Sequence, residues 1–131
     1  MVPITVADPV AIYLMQDRSG SMRDTPNGAS ASLWTQATTA LNAFVNAPAS
    51  NGIDVALGLF PQNNGTCDPA VYATPVVPMR RLLDPAQSQA IASTLTSNAP
   101  GTGGGGGTPL EGAIRGAINF CMQYQATSPT G

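Results

Sequence analysis

Asp17, Ser19 and Ser21 alternate along Asp17-Arg18-Ser19-Gly20-Ser21, and alternate residues of an extended segment point to one side. One carboxylate and two hydroxyls brought together in this way form a set of hard oxygen donors. Mg²⁺ takes near-octahedral oxygen coordination and keeps part of its shell as water or as oxygens from outside the protein. A site with so little ligand charge leaves the ion electrophilic, and such an ion favours a carboxylate offered by another molecule. Position adds to type: the pentapeptide follows residues 10–15 (VAIYLM) almost directly. A continuous apolar run of this kind reads as a strand buried on both faces, and open α/β sheets bind ligands at the carboxyl ends of their strands. Taken alone, the same residues are ordinary turn and cap formers. Their place after the apolar run separates the two readings.

Thr108 is a further hydroxyl of interest. It opens Thr108-Pro109-Leu110-Glu111 behind a glycine-rich segment at 101–107 (GTGGGGG), the most flexible stretch of the chain. The tetrapeptide is a capping box with proline at the first helical position, and the N–H groups at a helix start also favour an anionic ligand. The glycines spell Gly-x-Gly-x-x-Gly from Gly101 to Gly106, but no strand precedes them and no acidic residue follows at the distance a dinucleotide site needs. Gly107 stands where a phosphate loop requires lysine, and the chain has no lysine. Nucleotide binding is therefore not expected. Enzymatic chemistry is not expected either. The chain lacks histidine as well as lysine, Glu111 is its one glutamate, and a serine nucleophile would have no base to activate it.

Composition narrows the partners. The 131 residues suffice for one domain, and 43% of them are hydrophobic, which fits a globular protein. Only 9% are charged and the net charge is −2; five arginines against seven acids make no basic stripe for nucleic acid or for an anionic membrane surface. No apolar run approaches the roughly 20 residues of a membrane span, and the first residues have neither the basic nor the long apolar region of a secretory signal.

The elements that must position the loop follow from periodicity and punctuation. After the strand at 10–15 and a polar loop at 16–24, Leu33, Trp34, Ala37, Ala40, Leu41, Phe44 and Val45 form one helical stripe. Ser30 or Ser32 can cap its start, and Pro48 with Asn51-Gly52 ends it. Residues 53–60 (IDVALGLF) read as a second buried strand and 61–69 (PQNNGTCDP) as a loop. Residues 72–79 (YATPVVPM) read as a strand at a sheet edge, because Pro75 and Pro78 cannot donate to a ladder. Asp84-Pro85 starts a helix that carries Ile91 and Leu95 and runs to about Ser97. A last helix carries the stripe Leu110, Ala113, Ile114, Ala117, Ile118 and Cys121. Trp34, Phe44 and Phe60 read as core, Arg80-Arg81 as a solvated edge, and Arg18 as solvent-exposed, with selection of acidic partners as its alternative role. The order of elements implies an α/β sheet with helices on its faces.

Asp17 to Ser21 behind VAIYLM, with Thr108 in Gly-Gly-Thr-Pro-Leu about ninety residues later, resembles the metal-ion-dependent adhesion site of von Willebrand factor type A (vWA) domains. The helix from Trp34 to Val45 and the following IDVALGLFP are similar to bacterial members of that family, and the resemblance runs from about Val6 onward. It implies a Rossmann-like three-layer α/β/α fold. Residues 1–131 would be a single, C-terminally truncated domain of about three strands and three helices, with the 101–107 loop inside it. It also implies Mg²⁺, or Mn²⁺ or Ca²⁺, held by Asp17, Ser19, Ser21 and Thr108. The family's third motif, an aspartate at the end of the next strand, has no counterpart in this sequence. The function implied is a cation-dependent protein-binding or adhesion module, secreted or on the cell envelope, that captures an acidic group of a partner. The alternatives are a scaffold that binds no metal and a subunit of a larger assembly.

The family topology carries two more expectations. With the neighbouring strand missing, the strand at 10–15 becomes an open apolar edge, which is expected to leave the chain marginally stable or paired with another copy. Cys67 falls near the metal-binding end of the sheet, and Cys121 lies well down a helix that runs away from that end. The two are therefore not expected to bond to each other.

Overall fold

The computed structural model describes residues 10–63, 65–100 and 108–127; the glycine-rich segment 101–107 lies outside them. Three strands, β1 (Val10–Asp17), β2 (Ile53–Phe60) and β3 (Val77–Arg81), form one mixed sheet in the order β1-β2-β3. β1 runs parallel to β2 in unbroken register, from Val10 opposite Ile53 to Asp17 opposite Phe60. β3 runs antiparallel to β2, with an irregularity between Val55 and Leu57. Four α-helices accompany the strands: α1 (Leu33–Asn46), α2 (Pro69–Tyr72), α3 (Pro85–Ser97) and α4 (Leu110–Thr127).

Strand alternation divides the interior in two. Val55, Leu57 and Leu59 pack with Trp34 and Val45 of α1, Ile91 and Leu95 of α3, and Val77 and Leu82. Phe60 turns the other way and packs with Tyr72, Ala113 and Met15 beneath α2 and α4. The chain is thus a mixed α/β unit with helices on both faces of a three-stranded sheet. α1 starts where Ser32 Oγ accepts the Thr35 amide at 3.1 Å, and α3 starts where Asp84 Oδ1 accepts the Ala86 amide at 2.9 Å with Pro85 behind it. Trp34 and Phe60 are buried as expected, and Phe44 is half-buried against the first cluster. Arg80 and Arg81 lie at the solvated edge, where they pair with Asp84 at 3.2 Å and Asp54 at 3.4 Å.

Three sequence expectations change. The segment 72–79 is not one strand: Tyr72 ends the short helix α2, and β3 begins at Val77. Asp68-Pro69 is the same cap-then-proline signal as Asp84-Pro85, and the Asp68 carboxylate accepts the Ala70 amide at 3.0 Å. β3 does lie at the sheet edge, and Pro78 sits in it with its carbonyl accepting a hydrogen bond from Gln87. Gln87 is itself buried and also donates to the Val55 carbonyl, so one amide serves both strands beside the irregularity. Second, β1 is half-buried, with Val10 and Ala11 exposed. Among the described residues it has β2 as its one strand neighbour and forms the opposite edge of the sheet.

Third, of the expected apolar stripe of α4 only Ala113 is buried, with Ala117 half-buried, and its larger residues do not pack. Leu110, Ile114 and Ile118 are each at least half exposed, and Cys121 is exposed too. The packing face carries Gly112, Ala113 and Gly116, which bring the α4 backbone onto Cys67, Pro69 and Tyr72. Further along, Phe120 meets Tyr13 edge-to-face at 4.9 Å and stacks on Tyr124 at 6.0 Å. The Tyr124 hydroxyl bonds Asp54 Oδ2 at 3.2 Å. Tyr13 lies over Gly58, where a Cβ would sit 2.6 Å from its ring, and its hydroxyl donates to the Tyr72 carbonyl at 2.7 Å. Burial, with a smaller contribution from the Cys121 thiolate, pushes the Tyr13 hydroxyl up to about 12.

Gly116→Ala would place a Cβ 2.6 Å from the Pro69 carbonyl oxygen and from Tyr72 Cβ. Thermal melts should therefore show a loss of about 1–3 kcal/mol from overpacking, in place of the roughly 1 kcal/mol gain that alanine gives a helix interior. Tyr13 generates a pH dependence. The unfolded chain ionises it near pH 10 and the folded chain near pH 12. Its contribution to stability is complete below about pH 10 and is lost as the pH rises towards 12. Denaturant titrations across this range should show a shallower decline for Tyr13→Phe, and an unchanged slope would mean that the hydroxyl is not shielded.

Candidate cation-binding loop

The parallel register sets the site. Asp17 ends β1 opposite Phe60 at the end of β2, so the two following loops leave from the same end of the sheet. The backbone amide of Ser19 donates to Asp17 Oδ1 at 2.7 Å, which folds the chain back over the strand end. Residues 20–23 then form a single turn of 3-10 helix, in which the Met22 amide donates to the Ser19 carbonyl and the Asp24 amide to the Ser21 carbonyl, each at 3.0 Å. The Met22 side chain packs on the main core cluster, and the Asp24 carbonyl accepts the Leu33 amide at the start of α1. Both ends of the loop are therefore fixed to regular structure.

Within it, Ser19 is 8% exposed and its Oγ lies 3.3 Å from Ser21 Oγ. Neighbouring oxygens in an octahedral shell lie about 3.0 Å apart around Mg²⁺ and about 3.4 Å apart around Ca²⁺, from bond lengths of about 2.1 and 2.4 Å. The observed hydroxyl separation falls between these values. Asp17 holds the turn through Oδ1. The donor set is hard oxygen and carries a single negative charge, and it fits a divalent cation that completes its shell from elsewhere. Among the described residues no three His, Cys, Asp or Glu side chains gather to hold a metal, so any cation held here depends on the hydroxyls.

Asp17 meets the Ser19 amide and the Ser19 and Ser21 hydroxyls lie side by side, but across the start of a 3-10 turn and not along the extended segment that the spacing suggests. Thr108 is placed differently. It is exposed just before α4 and lines a hollow of about 490 Å³ with Cys67, Pro69, Glu111, Gly112 and Arg115. Cys67 follows β2, so the hollow opens at the same end of the sheet as Asp17, but the contacts that join Asp17, Ser19 and Ser21 do not include Thr108. α4 begins at Leu110, one residue later than proline at the first helical position would put it, and Glu111 forms an exposed ion pair with Arg115 at 2.8 Å.

Arg18 departs from its sequence expectation. It is half-buried and turned inward: its amide donates to the Phe60 carbonyl at 2.7 Å, its Nε to the Pro61 carbonyl at 3.0 Å, and its Nη1 to Asn98 Oδ1 at 3.3 Å. Asn98 was not legible as part of this site, because eighty residues separate it from Arg18 and no motif contains it.

Both cysteines are exposed and unbridged. The Cys67 backbone packs against Gly112, and Cys121 lies nine residues further along α4, about 13 Å at 1.5 Å per residue. That distance exceeds the roughly 7 Å a disulfide spans. Burial pushes the Cys121 thiol up.

Compared with family models, with curated proteins and with solved structures, the chain matches none. Among the described residues no helix is long and apolar enough to cross a membrane.

Titration of the native chain with a thiol reagent should detect both cysteines without denaturant. A chain with no reactive thiol, and a disulfide-linked peptide joining Cys67 to Cys121 in a digest, would overturn the geometry given for α4.

Proposed function

We propose that the chain is a divalent-cation-dependent protein-binding module of the type its first loop resembles, the vWA domain, acting as a secreted or cell-surface module. The observation that carries this reading is the approach of the Ser19 and Ser21 hydroxyls to 3.3 Å over the carboxylate-bearing end of β1. Asp17, Ser19 and Ser21 would hold the ion, with Thr108 contributing directly or through a water. Bound there, Mg²⁺, Mn²⁺ or Ca²⁺ would supply an electrophilic centre for an acidic group of the partner. The chain's own part is to present the oxygens. Asp17 shapes the turn through the Ser19 amide, and Met22 anchors that turn in the core. With one carboxylate in the set, the ion keeps most of its charge and its demand for a further anionic oxygen.

Among the described residues β1 has no strand on its outer side, which favours a second reading, in which the chain is a scaffold completed by further pairing at that edge, with no use of a cation. The two readings differ in cation dependence. Titration of Mg²⁺ and Mn²⁺ into the chain should give saturable binding, lost in Asp17→Ala and weakened in Ser19→Ala and Ser21→Ala. Cation-dependent capture of acidic peptides should follow the same order. No binding in the unmodified chain, together with association in sedimentation that does not respond to chelator, would favour the scaffold.

A further inference from the structure

We infer that Arg18 is a positioning residue that clamps the cation loop to two other parts of the fold, and does not itself recognise the partner. The inference rests on the cation-binding reading above. Three hydrogen bonds from one residue reach the end of β2 through the carbonyls of Phe60 and Pro61, and the end of α3 through Asn98. Asn98 is itself held: its amide donates to the Leu95 carbonyl, and its Nδ2 donates to the Thr94 carbonyl at 2.7 Å. The side-chain amide is therefore oriented with Oδ1 towards Arg18. This pairing uses the guanidinium as a fork, with Nε and Nη1 on two different acceptors, which an ammonium group does not reproduce.

The placement matters because Arg18 lies between two of the proposed ligands, Asp17 and Ser19. Asn98 closes α3, after which the chain passes through the glycine-rich segment to Thr108. One side chain thus joins the loop that carries three of the oxygens to the departure point of the segment that delivers the fourth.

Charge and position make opposite predictions for Arg18. A guanidinium beside a cation site repels the ion, so if charge alone mattered, Arg18→Ala would tighten cation binding. If the clamp matters, Arg18→Ala weakens it on the order of tenfold or more, the range seen when residues that orient metal ligands are removed. The experiment is a Mn²⁺ titration of the unmodified chain, Arg18→Ala, Arg18→Lys and Asn98→Asp. Thermal midpoints are measured separately, so that affinities are compared at temperatures where each variant is folded. The expected result is weaker binding in Arg18→Ala and Arg18→Lys, and near-normal binding in Asn98→Asp, which keeps an acceptor for Arg18. Unchanged or tighter binding in Arg18→Ala overturns the clamp while leaving the cation reading intact. If the unmodified chain binds no Mn²⁺, the cation reading fails, and hydrogen exchange decides the clamp in cation-free protein. Faster exchange at the Met22 and Asp24 amides in Arg18→Ala then supports it, and unchanged exchange overturns it.

Discussion

The parallel pairing of β1 with β2, eight residues against eight without a shift, is the constraint on which the rest of the structure depends. Parallel neighbours need a crossover between them, and α1 supplies it, packed on the sheet through Trp34 and Val45. The register then fixes three things at once. Asp17 stands level with Phe60, so the loops at 18–24 and 61–68 share one end of the sheet. Tyr13 lies across Gly58, which lets its ring occupy the space a side chain would fill on β2. Alternation along β2 sends Val55, Leu57 and Leu59 to one core and Phe60 to the other. A slip of one residue would leave the two loops at one end but would set the side-chain faces of the two strands against each other and separate Tyr13 from Gly58.

On the second face, close backbone approach replaces side-chain interdigitation. Gly112 and Gly116 are one helical turn apart, and both face the segment from Cys67 to Tyr72. With no Cβ between them, the helix settles on α2, and its larger apolar residues remain on the outside. The aromatic series Tyr13, Phe120 and Tyr124 takes over further along, where the hydroxyl of Tyr124 reaches Asp54 at the start of β2. α4 therefore runs from the site end of the sheet to the opposite end, and its direction places Thr108 beside the loop after β2.

Elements governed by local rules were legible in the sequence. β2 matched its apolar run at both ends, and α1 and α3 matched their bounds and caps, because Ser32 and Asp84 act on amides two or three residues away, although Leu33 and Ala40 of the α1 stripe are exposed. The approach of the Ser19 and Ser21 hydroxyls was not legible as alternation, because the chain from Gly20 to Arg23 is a turn of 3-10 helix and not an extended segment. What else was missed depends on contacts distant in sequence. Small residues gave no signal that glycines, and not the Leu110, Ile114 and Ile118 stripe, would form the contact face of α4. Tyr72 was read into a strand because its flanking residues suit one, whereas Asp68-Pro69 had already started a helix. The inward turn of Arg18 requires Asn98, and nothing in either residue's neighbourhood announces the pair.

The loop also has a balance of charge that its rigidity must offset. An ion bound by carboxylates is attracted from a distance, and the attraction tolerates imperfect geometry because it falls off slowly. Hydroxyl oxygens offer dipoles alone, and a dipole contributes only when it is aimed. A set with one carboxylate and two serines therefore has little tolerance for a loose loop, and the loop after β1 is tied down on both sides. Ser19 is buried, its amide is tied to Asp17, Met22 is set in the core, and Asp24 joins the start of α1. The inward guanidinium of Arg18 adds to this order, because its hydrogen bonds tie residue 18 to the ends of β2 and α3.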